Sequence, residues 1–233
     1  MNNVQDIPWL RIAAEGVAIV ISILLAFGID AWWTNQREAE AALELRAELA
    51  RDIQQTRAHI AERLENSQVI ATKARRILTE IATNGPSASP AVLRDIGSVF
   101  VLISWQPVED TFNEAVGSGR LNLLSDSNLR NGLSRYHAML ANFDRIVVQS
   151  IHTQYYLELE PFMVANTIYS EIAYDLRRPD LIQAPFDTDF EMIAQSSELW
   201  NLLTLRLELE VMRNDYLVQI DKMAESVLGQ LRL

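Results

Sequence analysis

The stretch "AAEGVAIVISILLAFGIDAWW", residues 13–33, constrains this chain more than any other. Between Gly16 and Ile29 it carries no charge. That clean run is ~21 Å long as a helix, and widening it to residues 12–33 gives ~33 Å, enough to cross a hydrocarbon core of ~30 Å. Glu15 and Asp30 then fall near opposite faces of a bilayer, where a carboxylate is less costly than at the centre. Trp9 precedes the run, and Trp32 with Trp33 closes it, the arrangement of an interfacial aromatic belt. A buried helix of a soluble core has no physical reason to bracket itself in this way. A cleaved signal peptide fits less well. "MNNVQDIPWLR" is not a basic leader, and "FGIDAWW" is a poor cleavage context. The expectation is a retained transmembrane helix over 12–33, after a short tail over 1–11.

Ala14, Ala18, Ser22, Ala26 and Asp30 recur every four residues along the run, with Glu15 beside them. Small residues let helix backbones approach closely in lipid, where packing drives association. These six positions are the candidate membrane-helix contact. Orientation is less constrained: Arg11 lies on one side, and Arg37 and Arg46 lie among acids on the other.

Charge and cysteine usage exclude several functions. Lys and Arg number 20 against 31 Asp and Glu, a net charge of −11. Such a surface repels phosphate backbones, so no nucleic-acid partner is expected. With no cysteine, disulfides, thiolate metal sites and Cys nucleophiles are ruled out. Eight Gly and 7 Pro among 233 residues favour long helices over a turn-rich β fold.

From Thr34 the polarity changes but the helical character persists. No Gly or Pro occurs before Gly85, and Leu45, Leu49, Ile53, Ile60, Leu64, Ile70, Ala74 and Ile77 follow a three-four spacing. The span is therefore expected to run on into a long amphipathic helix that stops at Asn84-Gly85, with Ser89-Pro90 opening the next element. Residues 91–104 read as a short helix or a buried strand. Helix is preferred, because no partner strand is visible. A short helix ends at Gly117-Ser118-Gly119. A second long helix starts at Ser127 and is expected to stop before Pro161. Residues 175–189 read as a linker. The last helix starts near Asp189 or Ser197, with a stripe over Leu202, Leu205, Leu209, Met212, Tyr216, Ile220, Met223, Val227 and Leu231. Such stripes are buried most simply against one another. The fold class is therefore all-α: a transmembrane helix continuing into a long amphipathic helix, packed in an antiparallel helical bundle over 34–233.

No chemistry is evident. His59, His137 and His152 lack metal-motif spacing, and E-x-x-H pairs, nucleophile elbows and phosphate loops are missing. No enzymatic activity and no cofactor or metal are expected, and the histidines read as surface or rim residues.

Residues 111–136, "TFNEAVGSGRLNLLSDSNLRNGLSRY", together with "EGVAIVISILLAFGIDAWWTNQRE", resemble a family of uncharacterised bacterial single-pass membrane proteins. That family has an N-terminal span flanked by acids and a helical domain with a TF-x-E-x-x-x-SG-x-L motif. The matching positions are Thr111, Phe112, Glu114, Ser118, Gly119, Leu121, Leu124, Asp126, Leu129, Arg130, Leu133 and Tyr136. The resemblance supports the architecture and supplies no activity. Physically, the motif reads as a helix–turn–helix corner, with a ligand-sensing or partner-binding corner as the alternative. Gly117 and Gly119 offer positive φ, Asp126 or Ser127 caps the next helix, and Arg130 seeks an acid of the bundle or an anionic ligand. The short N-tail, the acidic, cysteine-free C-terminal mass and this resemblance together lead to the expectation of a bacterial inner membrane, with the C-terminal domain periplasmic. The expected partners are lipid and either further copies or a larger membrane complex. The function expected is an interaction scaffold or accessory subunit, with an extracytoplasmic sensing module as the alternative.

Overall fold

The computed structural model describes residues 9–101, 106–172, 182 and 184–232, with side chains from Glu15 onward. It is all-α, and no strand occurs among the described residues. Helix α1, Trp9–Asn84, is one unbroken helix of 76 residues. It ends where the sequence predicts: Gly85 takes φ +51° and opens a single 3₁₀ turn. Ser89 and Pro90 then start α2, Pro90–Leu93, and a tight turn leads to α3, Ile96–Val99. The single short helix expected over 91–104 is thus two one-turn helices, and Leu102, Ile103 and Ser104 lie outside the described residues. Helix α4, Asp110–Ser118, precedes the corner.

The second long helix does not stop at Pro161. It runs over 127–166 as α5 (Ser127–Phe143), α6 (Gln149–Gln154) and α7 (Glu160–Asn166), joined by wide π-type stretches at Asp144–Val148 and Tyr155–Leu159. In a regular α-helix the Pro161 ring clashes with the carbonyl four residues back and leaves it unbonded. Here the wide stretch lies immediately before it, and Pro161 sits in the first turn of α7, where no N–H is needed. After α8, Tyr169–Ile172, the expected linker lies largely outside the described residues. Both expected starts of the last element exist. Asp189 caps α9, Phe190–Ala194, and Ser196 caps α10, Ser197–Leu231.

Register fixes the helix directions. Arg57 meets Asp221 and Ser67 meets Glu210, so α1 and α10 are antiparallel. Gly132 faces Val227 and Gln230, while Leu159 and Met163 share a core with Leu199 and Leu203, so 127–166 also runs against α10 and parallel to α1. Two hydrophobic cores are stacked along these helices. The lower contains Leu45, Leu49, Ile53, Ile60, Leu129, Leu133, Tyr136, Leu217, Ile220 and Val227. The upper contains Ile70, Ala74, Ile77, Leu93, Ile96, Phe162, Ile193 and Leu203.

The stripe expected on α10 is displaced through its middle. The inward line runs Leu203, Arg206, Glu210, Arg213, Leu217 and Ile220, while Leu205 is exposed and Leu209, Met212 and Tyr216 are half-buried. Only at Leu202 and again toward the C-terminus, at Ile220, Val227 and Leu231, are the expected positions fully buried.

Candidate functional site

Three places on this frame stand out as candidates. The first is the free part of α1. Every residue over 15–40 is exposed, and its apolar window has a mean hydropathy of 2.0 with no part buried. It is the one helix among the described residues long and apolar enough to cross a membrane. At its far end the Trp32 and Trp33 rings lie 6.2 Å apart, and the Arg37 guanidinium sits 5.2 Å from the Trp33 ring, one turn on. Aromatic body and cation together suit a boundary between hydrocarbon and water.

The side chains of Trp9 and Ala14 lie outside the described residues. Ser22 Oγ donates back to the Ala18 carbonyl at 2.8 Å, which satisfies the hydroxyl within its own helix. A four-residue repeat drifts by about 40° per step, so the line from Ala14 to Asp30 winds through about 160°. It is a spiral, matched by a second helix that crosses it rather than one lying parallel. Glu15 and Asp30 are only about 60° apart around the axis.

The second place is the motif corner. Its role is legible in the bonds it makes to α1. Asp52 accepts from the Thr111 N–H at 3.1 Å and so caps α4 from another helix. Val108 N–H donates to Thr56 Oγ1 at 3.0 Å. Arg120 bridges Glu114 of α4, at 2.8 Å, and Glu48 of α1, at 3.3 Å. Asp126 caps α5 through the Asn128 N–H at 2.8 Å. Leu124, Leu129, Leu133 and Tyr136 are wholly buried, with Phe112 and Leu121 packed at the edge of the same core. Burial pushes the Tyr136 phenol up to about 12.

Three expectations for the corner need correction. Only Gly119 uses positive φ, at +77°; Gly117 lies inside α4, and Ser118 is that helix's last residue. Arg130 meets no acid. Among the described residues it donates to the Leu124 carbonyl instead and so closes the turn. Nor is His137 a rim residue. It is buried, stacked on Phe112 with centroids 3.4 Å apart, and its Nδ1 lies 2.7 Å from Glu109 Oε1. Burial pulls its pKa below the usual value, and the Glu109 hydrogen bond opposes that shift. His59 and His152 are exposed, as expected.

The third place was not foreseen: a charged layer between the two cores. Arg206 and Glu210 are 0% exposed, and Arg213 is 5% exposed. Glu210 accepts from Ser67 Oγ at 2.5 Å, pairs with Arg206 at 2.9 Å, and pairs with Arg213. Arg206 also donates to the Val101 carbonyl at 3.1 Å. Gln154 is also buried, between the two wide stretches of its helix. The signal in the sequence was phase. Positions 203, 206, 210, 213, 217, 220, 224 and 227 keep a strict three-four spacing through the charged residues.

Among the described residues, no group of three or more His, Asp or Glu side chains is placed to hold a metal ion. Comparison of the chain with known protein families, with curated proteins and with solved structures returns no match.

Proposed function

We propose that this chain is a single-pass protein of a bacterial inner membrane, with its helical bundle in the periplasm, acting as an interaction scaffold. It assembles with further copies or serves as an accessory subunit of a larger membrane complex. The observation that carries the reading is the free segment of α1: a stretch over 15–40 exposed on all sides and continuous with a bundle whose corner is a structural clamp. A span bearing Ala18, Ala26 and Asp30 offers a neighbouring helix both close approach and a polar group.

Crosslinking in native membranes, followed by purification and mass spectrometry, is the direct test. Discrete higher species or a constant co-purifying membrane protein are expected. A strictly lone monomer overturns the reading. Glu15→Leu and Asp30→Leu should weaken that association while leaving insertion intact. Because the chain has no cysteine, an Ala82→Cys variant reports orientation by labelling with an impermeant maleimide from the periplasmic side.

The charged layer favours a second reading, an extracytoplasmic sensing module that passes its state to a partner. A polar layer between two apolar cores, beside a helix widened on either side of Gln154, is suited to shifting one core against the other.

A further inference from the structure

The layer between the cores does not balance its charge. Two buried guanidiniums, Arg206 and Arg213, face one carboxylate, Glu210. Arg63 stands near Arg213 with its Nε closed off from solvent, adding positive field. The donors are not used up either. Arg206 Nε and Nη1, Arg213 Nε, Arg63 Nε and both amide atoms of Gln154 have no hydrogen-bond partner although all are buried, and the donors among them outnumber the one unpartnered acceptor beside Arg213, Asn214 Oδ1. Guanidinium cannot shed its proton inside a protein, so the escape open to a buried lysine is closed here. Water would satisfy the N–H groups but leave the excess charge in a medium of low dielectric. An anion satisfies both.

We propose that this layer holds a single small inorganic anion, halide in size, bound by Arg206, Arg213 and Arg63 and completed by the Gln154 amide N–H. Arg206, Glu210 and Arg213 are buried while Arg63 is half-buried at the edge of the layer, which favours a small ion over an organic group. Residues of all three long helices fall between the two cores. Arg63 and Ser67 lie between Ile60 and Ile70, Gln154 between Ile151 and Leu159, and Arg206, Glu210 and Arg213 between Leu203 and Leu217. The anion thereby locks the register of the two cores. The proposal is independent of the membrane reading and survives its failure.

The test uses the full chain in detergent, with bromide and chloride titrated against gluconate at fixed ionic strength. A saturable rise in Tm of about 3 °C or more is expected for the halides and not for gluconate. Glu210→Gln removes the competing negative charge and keeps the shape. It should lower Tm without halide and give a larger, tighter halide response than the parent chain. Arg213→Met should lose the response. If that variant does not fold, Gln154→Leu serves in its place and should weaken the response. Bromide anomalous scattering in crystals should place the ion between Arg206 and Arg213. Equal Tm in halide and gluconate, or a Glu210→Gln response no larger than the parent's, overturns the proposal and leaves the layer to water.

Discussion

The lower and upper cores share three long helices yet are closed by different means. Around the lower core α5 is regular, and the connecting elements are fixed to α1 by named side chains: Asp52 under Thr111, Thr56 under Val108, and Arg120 between Glu48 and Glu114. Arg57 adds a two-pronged contact to Asp221 at 2.7 and 3.1 Å. The upper core is filled by one-turn helices and a crossover. Its fasteners are Lys73 to Ser98, Arg94 to Glu171, and the Thr188 N–H to Glu171. The lesson is that the lower half clamps the free helix, while the upper half is assembled from short pieces whose order depends on the long helices already being in place.

The comparison breaks most sharply at the layer dividing the cores. Glu210→Leu leaves two buried guanidiniums without a carboxylate, and the expected loss is about 3–5 kcal/mol in chemical denaturation. Replacing the set together, as Arg206→Met, Glu210→Leu and Arg213→Met, should recover most of that loss and fuse the cores into one cooperative unit. If the triple variant is as unstable as the single one, charge imbalance is not what the layer contributes.

Matched cavities come next. Leu133→Ala below and Leu93→Ala above each delete a wholly buried side chain, at about 2–5 kcal/mol. Hydrogen exchange should show the first loosening both halves and the second opening α2, α3 and α9 while α5 stays protected. Equal loss of protection everywhere would dissolve the distinction between clamp and cap.

Smaller and local is the glycine pair of the corner. Gly119→Ala forces a side chain into φ +77° and should cost about 1–2 kcal/mol. Gly117→Ala lies within α4 with open space around a new Cβ, so it should gain about 0.5–1 kcal/mol, read as opposite shifts of Tm.

The smallest effect is acid sensitivity of the lower core. His137 has a lowered pKa in the folded chain, so below about pH 6.5 the unfolded chain takes up a proton that the folded one resists. Stability should therefore fall as pH drops from neutrality through the acid side of that value. The loss should be reduced in His137→Phe when Tm is followed from pH 7 to 5.

Elements governed by local rules were legible in the sequence: the run over 12–33, the stop at Gly85, the cap Asp126, the helix starts at Asp189 and Ser197, and the buried faces of α1 and α5. What escaped depended on partners distant along the chain. Glu109 finds His137 across 28 residues, and Ser67 finds Glu210 across 143. Pro161 misled because a proline stops a helix only if the preceding turn is regular. On α10 the rule that apolar residues face inward chose Leu205, Leu209 and Met212 over the neighbouring phase. Three charged residues, able to neutralise one another in part, took the core line instead.

The length of α1 has a mechanical consequence. No glycine or proline interrupts it between Thr34 and Asn84, so nothing along that shaft can act as a swivel. Any turn of the segment over 15–40 about its own axis is delivered undiminished to Asp52, Thr56 and Ser67. The same rigidity sets a stand-off height: Ser67 lies ~51 Å beyond Trp33 along the helix. With the segment spanning a bilayer as proposed, a neighbour anchored beside it would have to be at least that tall to stand level with the charged layer, and a short one would meet only the clamp.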